Sequence, residues 1–160
     1  MIAVVSQTMN SEFAKLTDQL DSKYQALMAM LPIRAESVPN DTPKGGVYLF
    51  SEDGIALYTG RSKRKLCVRI RNHFSTAPDC PFAWLLAREI TGFKPTYRKE
   101  GSRRDLLLRD DFQKVYCESK MRIRRMDVRY VEEADPLRQT LLEVYTAVSS
   151  KSKYNDFDTH

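Results

Sequence analysis

Cysteine is sparse in this chain. Cys67, Cys80 and Cys117 are odd in number, far apart and in no CxxC pair. That pattern excludes a disulfide framework and a zinc knuckle, and it points to reduced thiols in a cytoplasmic protein. Long apolar runs are missing and the mean hydropathy is −0.49, so no membrane span is expected. The opening "MIAVVSQTMN" carries no cation, so it does not read as a secretory signal. Histidine occurs twice, as His73 and the terminal His160. Internal repeats and low-complexity tracts are absent.

What is present is charge, and it is unevenly placed. Residues 1–45 hold four Lys/Arg against five Asp/Glu, residues 46–130 nineteen against ten, and residues 131–160 three against six. The net charge of +5 therefore comes entirely from the middle segment, as expected for a surface that faces a polyanion. A solvated charged face is the plain alternative. Sharper signals have to come from the order of the residues.

Over 11–31, Phe13, Leu16, Leu20, Tyr24, Leu27 and Leu31 recur at steps of three and four. This spacing predicts one amphipathic helix, capped near Asn10 or Ser11 and stopped by Pro32. "PIRAESVPNDTPKGG" reads as a linker or extended arm. "VYLFS" and "IALYTG" then flank "EDG", predicting a β-hairpin with a three-residue loop in which Gly54 supplies a positive φ. In that register Tyr48 lies opposite Tyr58, both rings on one face. From Arg64 to Ser75 a helix is predicted, with Leu66, Ile70 and Phe74 inward and Arg69 and His73 together on one flank; Arg71 and Val68 point elsewhere. Further helices are expected over "FAWLLAREITG", closed by Gly92, and over 102–118. "MRIRRMDVRYVEE" reads as a third strand. "ADPLRQTLLEVYTAVSS" reads as a final helix with Asp135 as N-cap and Pro136 at its first position.

The expected class is α+β: a small three-stranded, mostly antiparallel sheet flanked by helices. Residues 1–44 form an N-terminal helix and arm, and residues 45–160 a domain carrying a helical insertion at about 76–118.

"GVY" (46–48), "YTG" (58–60), Arg69, His73, "LLEVY" with Glu143, and "KYN" ending at Asn155 stand in this order. Tyrosine follows tyrosine by ten residues, His73 follows Arg69 by four, and Asn155 follows Glu143 by twelve. Together they resemble the GIY-YIG nuclease family, with Val47 and Thr59 where the family usually has isoleucine. The resemblance runs from Gly46 to Asn155, with 75–120 longer than and different from the minimal family domain.

The resemblance implies a divalent-metal-dependent DNA endonuclease, with RNA as the other candidate substrate. It implies one Mg²⁺ or Mn²⁺ held by Glu143, water and phosphate completing the shell of a hard, partly hydrated cation. Arg69 would present a permanently charged fork to the phosphate. Tyr48 would act as general base or orient the water, with Tyr58 and His73 hydrogen-bonding water or phosphate. Phenols titrate near pH 10, so the base needs cations that favour its phenolate, and Arg61 is the expected contributor. Asn155 would fix the geometry around the glutamate helix.

Lys63, Arg64, Lys65 and Arg71, with Arg61 and Asn155, complete the expected substrate-binding set. "KPTYRKEGSRR" and "KMRIRRMDVR" are further phosphate-binding candidates. Restriction, phage defence, mobile-element and repair roles all suit such an enzyme, and a homodimer is the arrangement that would cut both strands. By periodicity alone, Glu143 lies on the solvated side of a helix whose stripe is Leu137, Leu141, Val144 and Val148. Two other classes stay open: a non-catalytic nucleic-acid-binding module, and a protein-interaction module using the 11–31 helix.

Overall fold

The apolar run "GVYLFS" forms the interior of an antiparallel sheet. The computed structural model describes residues 10–76, 80–155 and 157; most of "MIAVVSQTMN" and His160 lie outside them. Strands β1 (Ile33–Arg34), β2 (Lys44–Glu52), β3 (Ile55–Lys65) and β4 (Asp127–Glu132) lie in the order β1-β4-β2-β3. The sheet therefore has four strands where three are expected. The extra one comes from the stretch read as a linker: Ile33 and Arg34 pair with Val128 and Asp127.

β2 is central and buried from Gly45 to Ser51. Its alternation sends Tyr48 and Phe50 to one face and Val47 and Leu49 to the other. The first face is covered by α3 (Leu66–Asn72), α4 (Pro81–Thr91) and α6 (Asp110–Arg124), which contribute Leu66, Ile70, Phe82, Leu86, Phe112 and Ile123 to one apolar cluster. Each such side chain, buried fully, contributes about 1.5–3 kcal/mol. The second face is covered by α2 (Leu20–Ala29) and α7 (Pro136–Ser150), with α1 (Ser11–Thr17) against α7. None of the helices among the described residues is long and apolar enough to cross a membrane.

Local signals explain the ends of these elements. The Asn10 side chain accepts from the Glu12 and Phe13 amides, and that of Asp135 from Leu137 and Arg138, with Pro136 following as expected. α4 stops at Gly92, whose φ of 75° is the left-handed closure expected of it.

Several elements differ from expectation. The 11–31 helix is broken in two at Asp18–Gln19, where the Thr17 hydroxyl bonds back to the Phe13 and Ala14 carbonyls. The 102–118 helix is split into α5 (Arg103–Leu106) and α6, because Asp110 and Asp111 favour a fresh N-terminus. α6 then runs through "MRIR", carried by buried Phe112, Tyr116, Ser119 and Ile123, so β4 begins only at Asp127. Arg64 and Lys65 belong to β3 rather than to the following helix.

α7 is turned round relative to its sequence stripe. Gln139, Leu142, Thr146 and Ala147 are buried, whereas Leu137, Val144 and Val148 are exposed, Val148 by 63%. The helix lies against the edge strand β3, whose Thr59 and Arg61 offer polar contacts. Part of its apolar side meets α1, where Phe13, Leu20, Leu141, Val144, Tyr145 and Val148 line a cleft.

Candidate active site

The hairpin turns on two residues rather than three. Glu52 pairs with Ile55, and Asp53 and Gly54 both take positive φ, 51° and 80°. That mirror-image turn matches the strand twist. Continued without interruption, this register would set Tyr48 opposite Thr59 and send Tyr58 to the far face. A bulge intervenes: Ser51 pairs with Ala56 but Phe50 with Tyr58, leaving Leu57 over. Tyr48 consequently pairs with Gly60, not Tyr58, and the two phenols share a face on a diagonal.

Gly60 makes room for this arrangement. A Cβ at that position would lie 2.3 Å from the Tyr48 hydroxyl oxygen. The Tyr48 ring thus reaches over β3, and its hydroxyl meets the side chains of α3. Arg69 Nε donates to the Tyr48 oxygen at 3.2 Å, and the same oxygen lies 2.8 Å from His73 Nε2. Guanidinium Nε–H can only donate, so the phenol proton remains free to go to His73 Nε2. His73 Nδ1 lies 3.5 Å from Cys80 Sγ.

Burial pushes the His73 pKa down to about 3, with Arg69 adding to the effect, so the imidazole is a neutral acceptor. His73 is buried behind Tyr48 and acts on its hydroxyl, which differs from the expected direct contact with water or phosphate. Tyr58 is half-buried and stacks on Phe82, with ring centroids 4.7 Å apart and an interplanar angle of 10°.

The cations do not lower the phenols as expected. Burial raises Tyr48 above the ordinary tyrosine range, and its proximity to Tyr58 adds to this; Arg69 opposes and loses. Tyr58 is pushed up to about 12, again by burial against the pull of Arg69. Arg61, expected to favour the phenolate, instead donates through Nε to Glu143 Oε2 at 2.9 Å. Both residues lie on the α7 face of the sheet.

Glu143 is not on the solvated side of its helix: its side chain is 26% exposed. Burial raises its pKa, with Arg61 and then Arg69 pulling the other way. Because β3 is the outermost strand, the two faces meet around its rim, and Glu143 lies within electrostatic reach of Tyr48, Tyr58 and Arg69. Tyr48, Tyr58, Arg69 and His73 are therefore gathered together, and Glu143, paired with Arg61, acts on Tyr48, Tyr58 and Arg69 electrostatically.

Asn155 arrives at the same rim. Its Oδ1 accepts from the Thr59 amide at 2.7 Å and its Nδ2 donates to the Thr59 carbonyl at 2.8 Å. The Thr59 hydroxyl lies 2.8 Å from that of Ser152.

Lys63, Arg64 and Lys65 are exposed along β3. Arg71 is placed differently: it donates to the Asn40 side chain at 2.6 Å and to the Val38 carbonyl, tying α3 to the segment before β2. In "KMRIRRMDVR", Arg122 pairs with Glu52, Arg124 with Glu36, and Arg129 bonds the Met30 carbonyl, so much of that cationic string is structural. The "KPTYRKEGSRR" segment is largely exposed around α5.

The chain matches no family model, no curated protein and no solved structure.

Sequence reasoning missed Phe82 and Cys80, which wall the site from the start of α4, and Gly60 as the berth for Tyr48. Only Gly60 had a legible signal, a glycine inside a strand. Among the described residues no group of three or more His, Cys, Asp and Glu could hold a metal. A site supplying many protein ligands is thus absent there. Glu143 can offer one hard oxygen, Oε1, which Arg61 does not engage, and water and phosphate suit the remaining positions of Mg²⁺.

Proposed function

We propose that the protein is a divalent-metal-dependent endonuclease with a GIY-YIG-type site, acting on DNA. The observation that carries this reading is the gathering of Tyr48, Tyr58, Arg69 and His73, distant in the chain, within electrostatic reach of Glu143. Phosphodiester hydrolysis needs a group that takes a proton from water and compensation for charge on the phosphoryl oxygens.

Tyr48 is the candidate for the first task. It is 0% exposed and covered by Arg69, so in the free protein it cannot touch water. A phosphate that draws the Arg69 guanidinium to itself would uncover the hydroxyl; Tyr48 would take water's proton once its own has left to solvent, with His73 Nε2 holding the phenol oxygen in place. Arg69 then supplies the charge compensation, and Tyr58, fixed by Phe82, borders the same space. Glu143 would hold the divalent ion, whose charge stabilises the phosphoryl oxygens and favours phenolate at Tyr48 and Tyr58.

The same closure of Tyr48, with Arg61 on Glu143, favours a second reading: a nucleic-acid-binding module without turnover. One experiment separates them. Purified protein is incubated with supercoiled plasmid and Mg²⁺ or Mn²⁺, alongside Glu143→Ala and Arg69→Ala. The nuclease reading expects nicking by the wild type only, with DNA binding kept by both variants. Equal cutting by all three discards the assigned residues, and no cutting at any protein concentration leaves the binding module.

A further inference from the structure

Among the described residues, the outer rim of β3 is only half covered. Along Ala56 to Thr59 it is closed by the Lys153 and Tyr154 amides and the Asn155 side chain. Past Thr59, its backbone alternation can be followed residue by residue. Thr59 turns both backbone groups outward to Asn155, so Leu49 and Thr59 form a non-hydrogen-bonded pair. The register runs unbroken from there to Gly46 opposite Ser62. Arg61 therefore also points its N–H and C=O outward. Ser62, in the next hydrogen-bonded pair, aims its carbonyl at β2. Across a trans peptide the following N–H points the other way, so Lys63 N–H faces out too. Neither N–H bonds a group outside the strand ladder among the described residues.

Between residues 61 and 65 this rim carries four cations and no acid, and Lys63, Arg64 and Lys65 are exposed. Lysines on an edge strand discourage the addition of another peptide strand, which leaves a polyanion as the fitting occupant. Outward N–H groups two residues apart are separated by about 6.7 Å, comparable to the step between successive phosphates of one nucleic-acid strand. Arg61 also places one end of the rim beside Glu143.

We infer that the rim of β3 past Thr59, open among the described residues, is a phosphate rail. The backbone N–H groups of Arg61 and Lys63 take successive phosphates of one nucleic-acid strand, and the Lys63 and Lys65 side chains neutralise them. The rail brings the strand to the space between Arg69 and Glu143. It rests on the nucleic-acid part of the function proposed above, not on cleavage.

The test is fluorescence anisotropy with an end-labelled DNA duplex in EDTA, over a range of salt, for wild type, Lys63→Ala and Lys63→Pro. Lys63→Ala removes one charge and is expected to reduce the slope of log affinity against log salt by about 1. Lys63→Pro removes the same charge and also the N–H. Proline is tolerated on an edge strand where the missing N–H faces out. It is expected to bind roughly tenfold more weakly than Lys63→Ala, with an unchanged salt slope.

Equal affinity of the two variants overturns the rail, and so does failure of the wild type to bind the duplex. Should Lys63→Pro not fold, the amide spectrum of the wild type decides. Downfield movement of the Arg61 and Lys63 amide protons on duplex titration supports the rail, and stationary resonances overturn it. Amide-dependent binding without metal-dependent nicking keeps the rail and removes the nuclease reading.

Discussion

Asn155 holds Thr59 by both of its backbone groups, giving its amide proton an acceptor at 2.7 Å and its carbonyl a donor at 2.8 Å. A side chain here takes the place of a neighbouring strand and closes the sheet just short of the catalytic candidates. Asn155→Ala leaves two partly buried backbone groups without partners, and is expected to cost about 1–3 kcal/mol. Urea denaturation measures this; a midpoint equal to that of wild type would mean the clasp contributes nothing.

Gly60→Ala is a test of the Tyr48 berth. The added methyl would lie 2.3 Å from the Tyr48 oxygen, so the ring must leave its place between Arg69 and His73. Overpacking of this kind costs about 1–3 kcal/mol. A lower thermal midpoint with altered tyrosine near-UV dichroism is expected, and an unchanged spectrum would contradict the contact.

His73 makes stability depend on pH. Its folded pKa of about 3 lies below its unfolded value of about 6.5. Between those values the unfolded chain binds the extra proton. The stabilisation is therefore complete above about pH 6.5 and is lost as pH falls toward 3, with a slope of up to about 1.4 kcal/mol per pH unit. The difference between wild type and His73→Gln, read from urea midpoints across pH 4–8, should follow this course. A pH-independent difference would show that His73 does not fold as the neutral imidazole.

Arg61 competes with any cation for the Glu143 carboxylate. With an ion held at Glu143, as proposed, Arg61→Gln removes a partly exposed pair worth up to about 1 kcal/mol, or about a fivefold change in affinity. Calorimetric titration of the free protein with Mn²⁺ should give tighter binding for Arg61→Gln. Weaker binding would instead mean that Arg61 helps to build the ion's site.

The parts of the fold that were legible are those written in local chemistry. Asp135-Pro136 and Gly92 each name a helix end through capping or backbone freedom, and both stand where expected. β1 was not legible, because two residues are too few for alternation to register against the prolines around them. α7 misled for a different reason: it has apolar side chains on one side and buries Gln139 and Thr146 on the other. Which side turns inward is decided by the Thr59 and Arg61 surface it meets, a tertiary matter. For the site, the resemblance grouped Tyr48, Arg69 and His73, which are in contact, whereas periodicity alone put Glu143 on the solvated side. Desolvation, which sets the protonation of both tyrosines, could not be read before burial was known.

The surplus residue at Leu57 gives the hairpin a parity. Deleting Ala56 or Leu57 would swing the second phenol to the opposite side of the sheet, whereas most replacements at those two positions would leave its orientation alone. Chain length across this loop is consequently held more tightly than chain composition, and insertions or deletions should be far more damaging than substitutions.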